Sequence, residues 1–269
     1  MPEPCRYIYT RMTIMSETEQ REKAPILSVK LALTDYDTLL ESVQNAIAHK
    51  QHIRLNFCNV HVTMLAQNSA PLMAALNHPD ALTLPDGMPL VWALRSCGYL
   101  LRDRVYGPDF FELCLSSQRG TTRHYFFGST DDTLTKLRQK LTTRFPGILI
   151  AGMYSPPFRP LTPEEEADII NNINESNADI VWVGLGAPKQ ELWINATAGR
   201  IHAPVVAAVG AAFDFLAGTV RQAPDWMQRF GLEWLFRLIM EPRRLWFRYL
   251  YYNPLFVLKF LHSRYFTRR

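Results

Sequence analysis

Short apolar runs alternate along the chain with longer segments whose apolar residues recur at helical spacing. The runs are strand candidates and comprise residues 53–57, 81–84, 124–127, 148–151, 179–183 and 204–209. The last two are β-branched and apolar without polar alternation, which is typical of strands buried on both faces. Residues 63–76 and 134–145 have helical spacing, and Thr162-Pro163-Glu164-Glu165 is a helix-starting capping box. The order predicts an α/β fold, with a Rossmann-like, mostly parallel sheet covered by helices.

Five loops follow the predicted strands at their carboxyl ends. They comprise residues 59–61, 85–87, 128–130, 184–190 and 210–212. An open parallel sheet binds its ligand outside the carboxyl ends of its strands. We therefore expect the functional site among these loops.

The alternation stops near Val220, where a basic and aromatic segment begins. Residues 219–269 hold ten Lys/Arg, three acidic residues and 13 of the 32 aromatic residues, whereas the rest of the chain is slightly acidic. This pattern predicts three parts: a flexible polar leader (1–25), an α/β catalytic domain (26–218) and a helical C-terminal appendage (219–269). Arg interleaved with Trp and Tyr is typical of membrane interfaces. We expect the appendage to bind an anionic membrane surface.

Composition excludes several classes of protein. Hydrophobic and charged residues make up 48% and 20% of the chain, as in ordinary globular proteins. The four cysteines, at 5, 58, 97 and 114, form no CxxC pair, which disfavours a disulfide scaffold or zinc site. No apolar run is long enough to span a membrane, and the N-terminus lacks the apolar core of a secretory signal. These features predict a cytoplasmic protein.

Three of these loops hold candidates for ligand contact. Asp86 follows a buried strand in a Leu-Pro-Asp-Gly turn, where it is either an ordinary turn residue or a general base. Gly186 and Gln190 lie where a helix begins, and free N–H groups there suit a phosphate or sugar; a plain helix start is equally compatible. Gly128 opens a loop that suits a ribose or base better than a phosphate, because two aspartates follow it.

Three arginines of the appendage share a helical spacing. Arg237, Arg244 and Arg248 are seven and four residues apart, which predicts one helical face. Guanidinium groups match phosphate oxygens, although a solvated basic face has the same spacing. His61 is interpreted as a structural or loop residue. No His/Asp/Glu cluster has metal-ligand spacing.

Four motifs resemble those of the bacterial WecG/TagA/CpsF glycosyltransferase family. They are Leu84-Pro85-Asp86-Gly87-Met88, Arg104-Val105-Tyr106-Gly107-Pro108-Asp109-Phe110, Val183-Gly184-Leu185-Gly186-Ala187-Pro188-Lys189-Gln190-Glu191, and Gly231-Leu232-Glu233-Trp234-Leu235-Phe236-Arg237-Leu238 followed by Glu241-Pro242-Arg243-Arg244. The resemblance covers residues 26 to 255. It implies an inverting, metal-independent enzyme without a cofactor, which moves a sugar from a UDP-sugar to a polyprenyl-diphosphate-linked sugar during surface polysaccharide or exopolysaccharide synthesis.

The resemblance also implies roles for individual residues. Asp86 becomes the candidate base, and Asn59, Arg104 and Gln190 fall in the sugar and diphosphate pocket. Arg237 and Arg244 would reach the diphosphate from the appendage.

The chain departs from the family pattern at two places. Phe57-Cys58-Asn59 replaces a common Thr-x-Asn, and Phe247 with Arg248 replaces a third appendage arginine. The Asn59-Val60-His61-Val62 segment resembles the branch that builds xanthan-type exopolysaccharides, which would make the donor UDP-glucose. N-acetylmannosamine and its uronic acid are the other donor sugars that the family suggests.

Two other hypotheses come from different classes. The first is a non-catalytic, nucleotide-binding scaffold of a membrane-bound polysaccharide synthesis complex. The second is nucleic-acid binding through the basic appendage, which is disfavoured because the rest of the chain is acidic and carries no recognised module. The expected partners are therefore a UDP-sugar, a polyprenyl-diphosphate-linked glycan and the inner face of the cell membrane. The sequence leaves open whether the protein forms a homo-oligomer.

Overall fold

The computed structural model of the chain describes residues 22–118 and 120–266. Their strands are β1 (Lys23–Ile26), β2 (Val29–Ala32), β3 (Ile53–Cys58), β4 (Ala81–Pro85), β5 (Arg123–Gly128), β6 (Leu149–Tyr154), β7 (Ile180–Gly184) and β8 (Val205–Ala208). β1 and β2 form an antiparallel hairpin. The other six strands form a parallel sheet in the order β4-β3-β8-β7-β5-β6. The predicted fold class is confirmed.

Helices cover both faces of this sheet and continue into the appendage. Those that precede the appendage are α1 (Tyr36–His49), α2 (Val60–Ala66), α3 (Ala70–Asn77), α4 (Met88–Ser96), α5 (Gly107–Ser117), α6 (Asp131–Arg144), α7 (Pro163–Glu175), α8 (Lys189–Ala196) and α9 (Ala212–Ala217). The appendage holds α10 (Asp225–Arg229), α11 (Glu233–Met240), α12 (Pro242–Trp246), a π-helical turn (Phe247–Tyr251) and α13 (Tyr252–Phe266). The predicted capping box at the start of α7 is present.

The apolar β7 run has no alternation because both of its faces are covered. On one face, the fully buried Trp182 packs edge-on against Phe111 of α5, with ring centroids 4.9 Å apart. On the other face, Val181 and Val183 belong to a separate cluster that includes Ile170 of α7. A strand with helices on both sides buries every side chain, so polar residues are excluded from it.

The helix predicted over residues 63–76 is two helices. α2 ends at Ala66, and Ser69 then caps α3, its side chain accepting a hydrogen bond from the Leu72 N–H at 3.3 Å. A serine at this position satisfies N–H groups that have no partner inside the helix, and so favours a new helix start over continuation. The apolar spacing runs through both helices because both bury that face.

The predicted boundary between leader and catalytic domain, at residue 25, falls inside β1. Ala24 and Ile26 of β1 and Val29 and Leu31 of β2 are almost completely buried. Strands of four residues leave too short a pattern to be recognised by periodicity, and the prediction missed this hairpin. Residues 1–21 of the predicted leader lie outside the described residues.

The prediction of one continuous arginine-bearing helix is wrong. α11 ends at Met240, and Glu241 leaves the helical conformation with φ −134° and ψ 59°. Pro242 then begins α12, because proline has no N–H to continue the previous helix. Arg237 therefore lies on a different helix from Arg244. Farther along, α13 returns to the catalytic domain, where Phe256 is buried in a cluster with Val60 and Leu94.

Gly128 at the end of β5 allows a close approach to β7. Its φ is +126°, and a Cβ built there would lie 2.5 Å from the carbonyl carbon of Gly184. We expect Gly128→Ala to lower the melting temperature strongly, because both backbone strain and backbone overlap oppose it. Gly147→Ala is the control, since Gly147 also has a positive φ, of +86°, but its Cβ would meet open space. Equal losses in thermal unfolding would show that the overlap with Gly184 has no effect.

Candidate active site

A cavity of about 690 Å³ opens at the carboxyl ends of the parallel strands. Asn59 after β3, Asp86 after β4 and Gly186 after β7 line it from the catalytic domain, and Arg237 and Arg248 line it from the appendage. The β4-β3 pair lies on one side of β8, and the later strands lie on the other. The cavity thus occupies the place where ligands bind in open α/β sheets.

Asp86 is held at this edge by two backbone contacts. Its N–H donates to the Cys58 carbonyl at 2.9 Å, and its Oδ1 accepts from the Gly107 N–H at 2.8 Å. Burial raises the pKa of the carboxyl group from 3.8 to about 6, although the Gly107 N–H and nearby Arg104 oppose this shift. The group is therefore mostly ionised at neutral pH and is a stronger base than an exposed aspartate.

Arg104 lines the cavity but is already engaged with the appendage. Its Nη1 donates to Glu233 Oε2 at 2.8 Å, and its Nη2 donates to Gln228 Oε1 at 3.0 Å. Tyr106 Oη donates to the other Glu233 oxygen at 2.7 Å, and the Arg104 guanidinium lies 4.1 Å from the Tyr106 ring centroid. The Arg104 and Glu233 side chains are only 11% and 12% exposed. This residue thus connects the two parts of the chain as well as lining the pocket.

Gln190 is buried in the first turn of α8 with its amide oriented by two neighbours. Its Oε1 accepts from the Gly186 N–H at 3.2 Å, and its Nε2 donates to Glu191 Oε1 at 3.0 Å. Burial raises the pKa of Glu191, whose second oxygen has no protein partner. Gly186 has φ +78° with open space where a Cβ would stand, so the loop can approach a ligand closely.

Asn59 and Gly128 have different roles at the cavity edge. Asn59 lines the cavity, and its side chain caps α2 by accepting from the Val62 N–H at 3.3 Å. Gly128 does not line the cavity. It allows β5 to approach β7, and the next two residues of its loop, Ser129 and Thr130, line the cavity in its place.

The three predicted arginines converge on the cavity from different elements. Arg237 belongs to α11, Arg244 to α12 and Arg248 to the π-helical turn, and all three line the cavity. The Nε atoms of Arg237 and Arg248 are buried without a hydrogen-bond partner. Arg244 is exposed and pairs with Glu241. Burial, together with repulsion from Arg237 and Arg244, lowers the pKa of Arg248. The cluster thus offers unpaired donors and concentrated positive charge to an anion.

His61 also lines the cavity and contacts the appendage. Its ring packs against that of Tyr252, with centroids 5.1 Å apart, and its Nδ1 is buried without a partner. Burial and the charge of Arg248 lower the pKa of His61 to about 4, so the imidazole is neutral at pH 7. The interpretation of His61 as a structural residue therefore omits its position at the pocket.

Residues 22–118 and 120–266 hold neither a cluster of metal ligands nor a membrane-spanning helix. No three His, Cys, Asp or Glu side chains come together there in a way that could hold a metal ion. No helix in the same residues is long and apolar enough to cross a bilayer.

Comparison with known proteins identifies the family. The profile described as "Glycosyl transferase WecG/TagA/CpsF family" matches residues 24–269. The chain belongs to the WecG/TagA/CpsF family. It is a glycosyltransferase, and the resemblance found in the four motifs is confirmed.

Two curated relatives of this glycosyltransferase come from Bacillus species. A protein of Bacillus spizizenii is 31% identical over 187 residues, which cover 69% of this chain and 70% of the relative. A protein of Bacillus subtilis is 34% identical over 162 residues, which cover 60% and 61% of the two chains. Both are named N-acetylglucosaminyldiphosphoundecaprenol N-acetyl-beta-D-mannosaminyltransferase.

Several cavity residues of this WecG/TagA/CpsF-family member had no role assigned from the sequence. Glu233 stands inside a recognised motif, but its partners Arg104 and Tyr106 are more than 120 residues away. Asp214 of α9 lines the cavity, and burial raises the pKa of its carboxyl group. Besides that motif, the signal for Glu233 in the sequence is an acidic residue within a strongly basic segment.

Proposed function

We propose that this glycosyltransferase transfers a sugar from a UDP-sugar to a polyprenyl-diphosphate-linked sugar, with inversion at the anomeric carbon. One observation carries the proposal. Asp86, a carboxylate with a raised pKa, lines the same cavity as the partly buried guanidinium groups of Arg237 and Arg248. A base for the incoming hydroxyl and cations for the departing diphosphate are the two requirements of such a displacement.

In the proposed reaction step one proton is transferred, one bond forms and one bond breaks. Asp86 takes the proton of the acceptor hydroxyl as its oxygen forms a bond to the anomeric carbon. The bond between that carbon and the diphosphate oxygen breaks, and UDP leaves with the electron pair. Attack from the face opposite UDP inverts the anomeric configuration. The protonated Asp86 then returns its proton to solvent.

The unpaired arginines supply charge to the leaving group. Transition-state charge grows on the diphosphate as the glycosidic bond breaks, and fixed cations stabilise it without reorganisation. Arg237 and Arg248 carry buried N–H groups with no protein partner, which a phosphate oxygen would satisfy. Asn59, Gln190 and Gly186 line the same cavity from the catalytic domain, and we assign them to the donor sugar and nucleotide.

The named activity of the relatives supports a particular acceptor and donor. Both Bacillus proteins act, by name, on N-acetylglucosamine linked through diphosphate to undecaprenol and transfer N-acetylmannosamine. We propose the same class of lipid-linked acceptor and take UDP-N-acetylmannosamine as the first donor. UDP-glucose is the second, because of the Asn59-Val60-His61-Val62 segment. With these partners, we propose that the enzyme works at the cytoplasmic face of the cell membrane.

The decisive experiment measures UDP release from three donors with and without a lipid-linked acceptor. The donors are UDP-N-acetylmannosamine, its uronic acid and UDP-glucose, and the acceptor is polyprenyl-diphosphate-linked N-acetylglucosamine. We expect acceptor-dependent release with one donor, accompanied by a lipid-linked disaccharide. A nucleotide-binding scaffold would release UDP from none of them, with or without the acceptor.

Removal of divalent metals should leave the rate nearly unchanged. In this proposal arginine guanidinium groups carry the charge stabilisation that a metal supplies in other enzymes. Turnover is measured after dialysis against EDTA and again after addition of Mg²⁺ or Mn²⁺. Loss of activity on chelation, with recovery on metal addition, would contradict the arginine assignment.

The appendage is proposed to bind the membrane through an exposed apolar and basic surface. Ile239, Trp246 and Leu250 are 67%, 54% and 57% exposed, and the basic side chains of Arg243 and Arg244 are nearby in the chain. Each basic residue near an anionic surface contributes about 1 kcal/mol. Apolar side chains at headgroup level add to this.

We expect the protein to sediment with vesicles containing phosphatidylglycerol and to bind phosphatidylcholine vesicles weakly. Trp246→Ser combined with Leu250→Ser should reduce binding by about tenfold or more, since two exposed apolar side chains lose their contact with lipid. Leu100→Ser, at a residue 98% exposed in the catalytic domain, is the control. Unchanged binding of the double variant would place the membrane surface elsewhere. Point variants are preferable to truncation because Phe256 of the same appendage is buried in the core.

A further inference from the structure

A buried ion pair joins the catalytic domain to the appendage beside the cavity. Arg104 lies in the loop between α4 and α5, and Glu233 is the first residue of α11. Both Glu233 oxygens are used, one by Arg104 Nη1 at 2.8 Å and the other by Tyr106 Oη at 2.7 Å. Gln228, also in the appendage, takes the second Arg104 nitrogen. Three hydrogen bonds thus hold the appendage on one short loop.

The same loop holds the proposed base. Gly107 follows Tyr106 directly, and its N–H donates to Asp86 Oδ1 at 2.8 Å. The Tyr106 N–H donates in turn to Tyr36 Oη at 2.9 Å, which fixes the backbone on its other side. A shift of Tyr106 would therefore move the donor that orients Asp86.

On the appendage side, the ion pair positions Arg237. Arg237 lies one turn after Glu233 in α11, so it projects from nearly the same side of the helix. It reaches the cavity, with its guanidinium 5.8 Å from the Phe215 ring centroid. The placement of Arg237 thus depends on how the first turn of α11 is fixed.

We propose that Glu233 is a positioning residue: by holding Arg104 and Tyr106, it couples docking of the appendage to the orientation of Asp86 and the placement of Arg237. The coupling rests on the proposed function of Asp86 and Arg237. Because Arg104 belongs to the catalytic domain and Glu233 to the appendage, the ion pair connects the two parts of the chain directly.

Stability alone is a poor explanation for this pair. Removing two charges from water costs as much as their attraction returns, and apolar residues of similar volume often serve stability as well or better. A carboxylate that bridges Arg104 and Tyr106, with one oxygen for each, fixes direction and distance between them, which apolar packing does not.

The pair also acts on Asp86 electrostatically. Besides burial and the Gly107 N–H, the charged groups that influence the Asp86 pKa are Arg104 and Arg248, which lower it, and Glu233, which raises it. Loss of the Glu233 charge lowers the Asp86 pKa, so it should shift the acid limb of the pH–rate profile to lower pH. Arg104→Gln removes a charge that lowers this pKa, so it should shift the same limb to higher pH. If the pair served stability alone, the acid limb would keep its position in both variants.

The test uses the full chain and the variants Glu233→Gln and Tyr106→Phe. Tyr106→Phe removes one hydrogen bond to Glu233 and keeps the ring beneath Arg104. This milder variant still tests the proposal where Glu233→Gln fails to fold. For Glu233→Gln we expect kcat to fall on the order of tenfold or more, an acid limb shifted down from about pH 6, and faster hydrogen exchange over residues 226–250. Tyr106→Phe should show a smaller change of the same kind in rate and exchange.

Glu112→Gln is the matched control, since Glu112 also pairs with an arginine, Arg144, but on the surface. It should leave rate, acid limb and exchange unchanged. Wild-type exchange and an unshifted acid limb in Glu233→Gln would overturn the coupling. Hydrogen exchange needs no substrate, so it tests the coupling of loop and appendage independently of turnover. Failure of the wild-type enzyme to turn over the chosen donors would count against the proposed function alone.

Discussion

Asp86→Asn should reduce kcat by about 10² to 10⁴, the usual contribution of a positioned general base. Asparagine keeps the shape of the side chain and its oxygen can still accept from the Gly107 N–H, but it cannot take a proton at neutral pH. UDP binding should change little, because Asp86 is assigned to the acceptor hydroxyl. Turnover is measured with the lipid-linked acceptor, and UDP binding is measured by calorimetry.

The same substitution should leave thermal stability unchanged or raise it at neutral pH. Burial raises the pKa of Asp86 from 3.8 to about 6, so the folded state binds its proton more tightly than the unfolded state does. The ionised carboxylate therefore opposes folding, increasingly as pH rises from about 4 to 6 and fully above it. Asparagine removes this cost. Asp132→Asn, at an exposed carboxylate paired with Lys136, is the control for both measurements. Wild-type turnover in Asp86→Asn would reject the base assignment.

Replacement of Arg237 and Arg248 by Gln should produce the second large loss. Each single substitution is expected to reduce kcat by about 10² to 10³, as for removal of one transition-state hydrogen-bond donor. The structural reason is that both Nε groups are buried at the cavity with no protein partner. Glutamine keeps polar length but lacks the charge and the fork of donors. The double variant should show less than the product of the single effects, since both residues act on one diphosphate.

Arg243→Gln is the control for the arginine variants. Arg243 is adjacent to Arg244 in α12 and has the same charge, but it does not line the cavity. Wild-type rate is expected for this variant with the lipid-linked acceptor dispersed in neutral detergent, where Arg243 meets no anionic membrane surface. An equal loss in Arg243→Gln and Arg237→Gln would mean that net charge of the appendage, rather than contact with the diphosphate, controls the rate.

The order of strands and helices could be predicted from the sequence for a simple physical reason. A central strand of a parallel sheet covered on both faces has its side chains buried on both sides, so a run such as β7 is continuously apolar. Since such strands end at one edge, the residues that follow them share a site. Asp86 and Gln190 were found in this way, Asn59 was assigned through the family resemblance, and all three line one cavity.

Local pattern also determined that the appendage differs from the catalytic domain. Its aromatic and basic composition predicts a surface for anions and apolar groups, whatever its exact path. The path itself was predicted wrongly, because seven-residue spacing between Arg237 and Arg244 is compatible with one helix or with two that turn at Pro242. The arginines converge on the cavity although they lie on different helices.

Only the tertiary structure decided which distant groups meet. Glu233 contacts Arg104 across 129 residues, and His61 packs on Tyr252 of α13. Periodicity reports which face of an element is buried, but not which partner buries it. Burial of a charge or an imidazole, and hence the pKa values of Asp86 and His61, depends on those partners. The sequence by itself thus determined the sheet, the edge that carries the site and the basic appendage, whereas folding determined the contacts that complete the site.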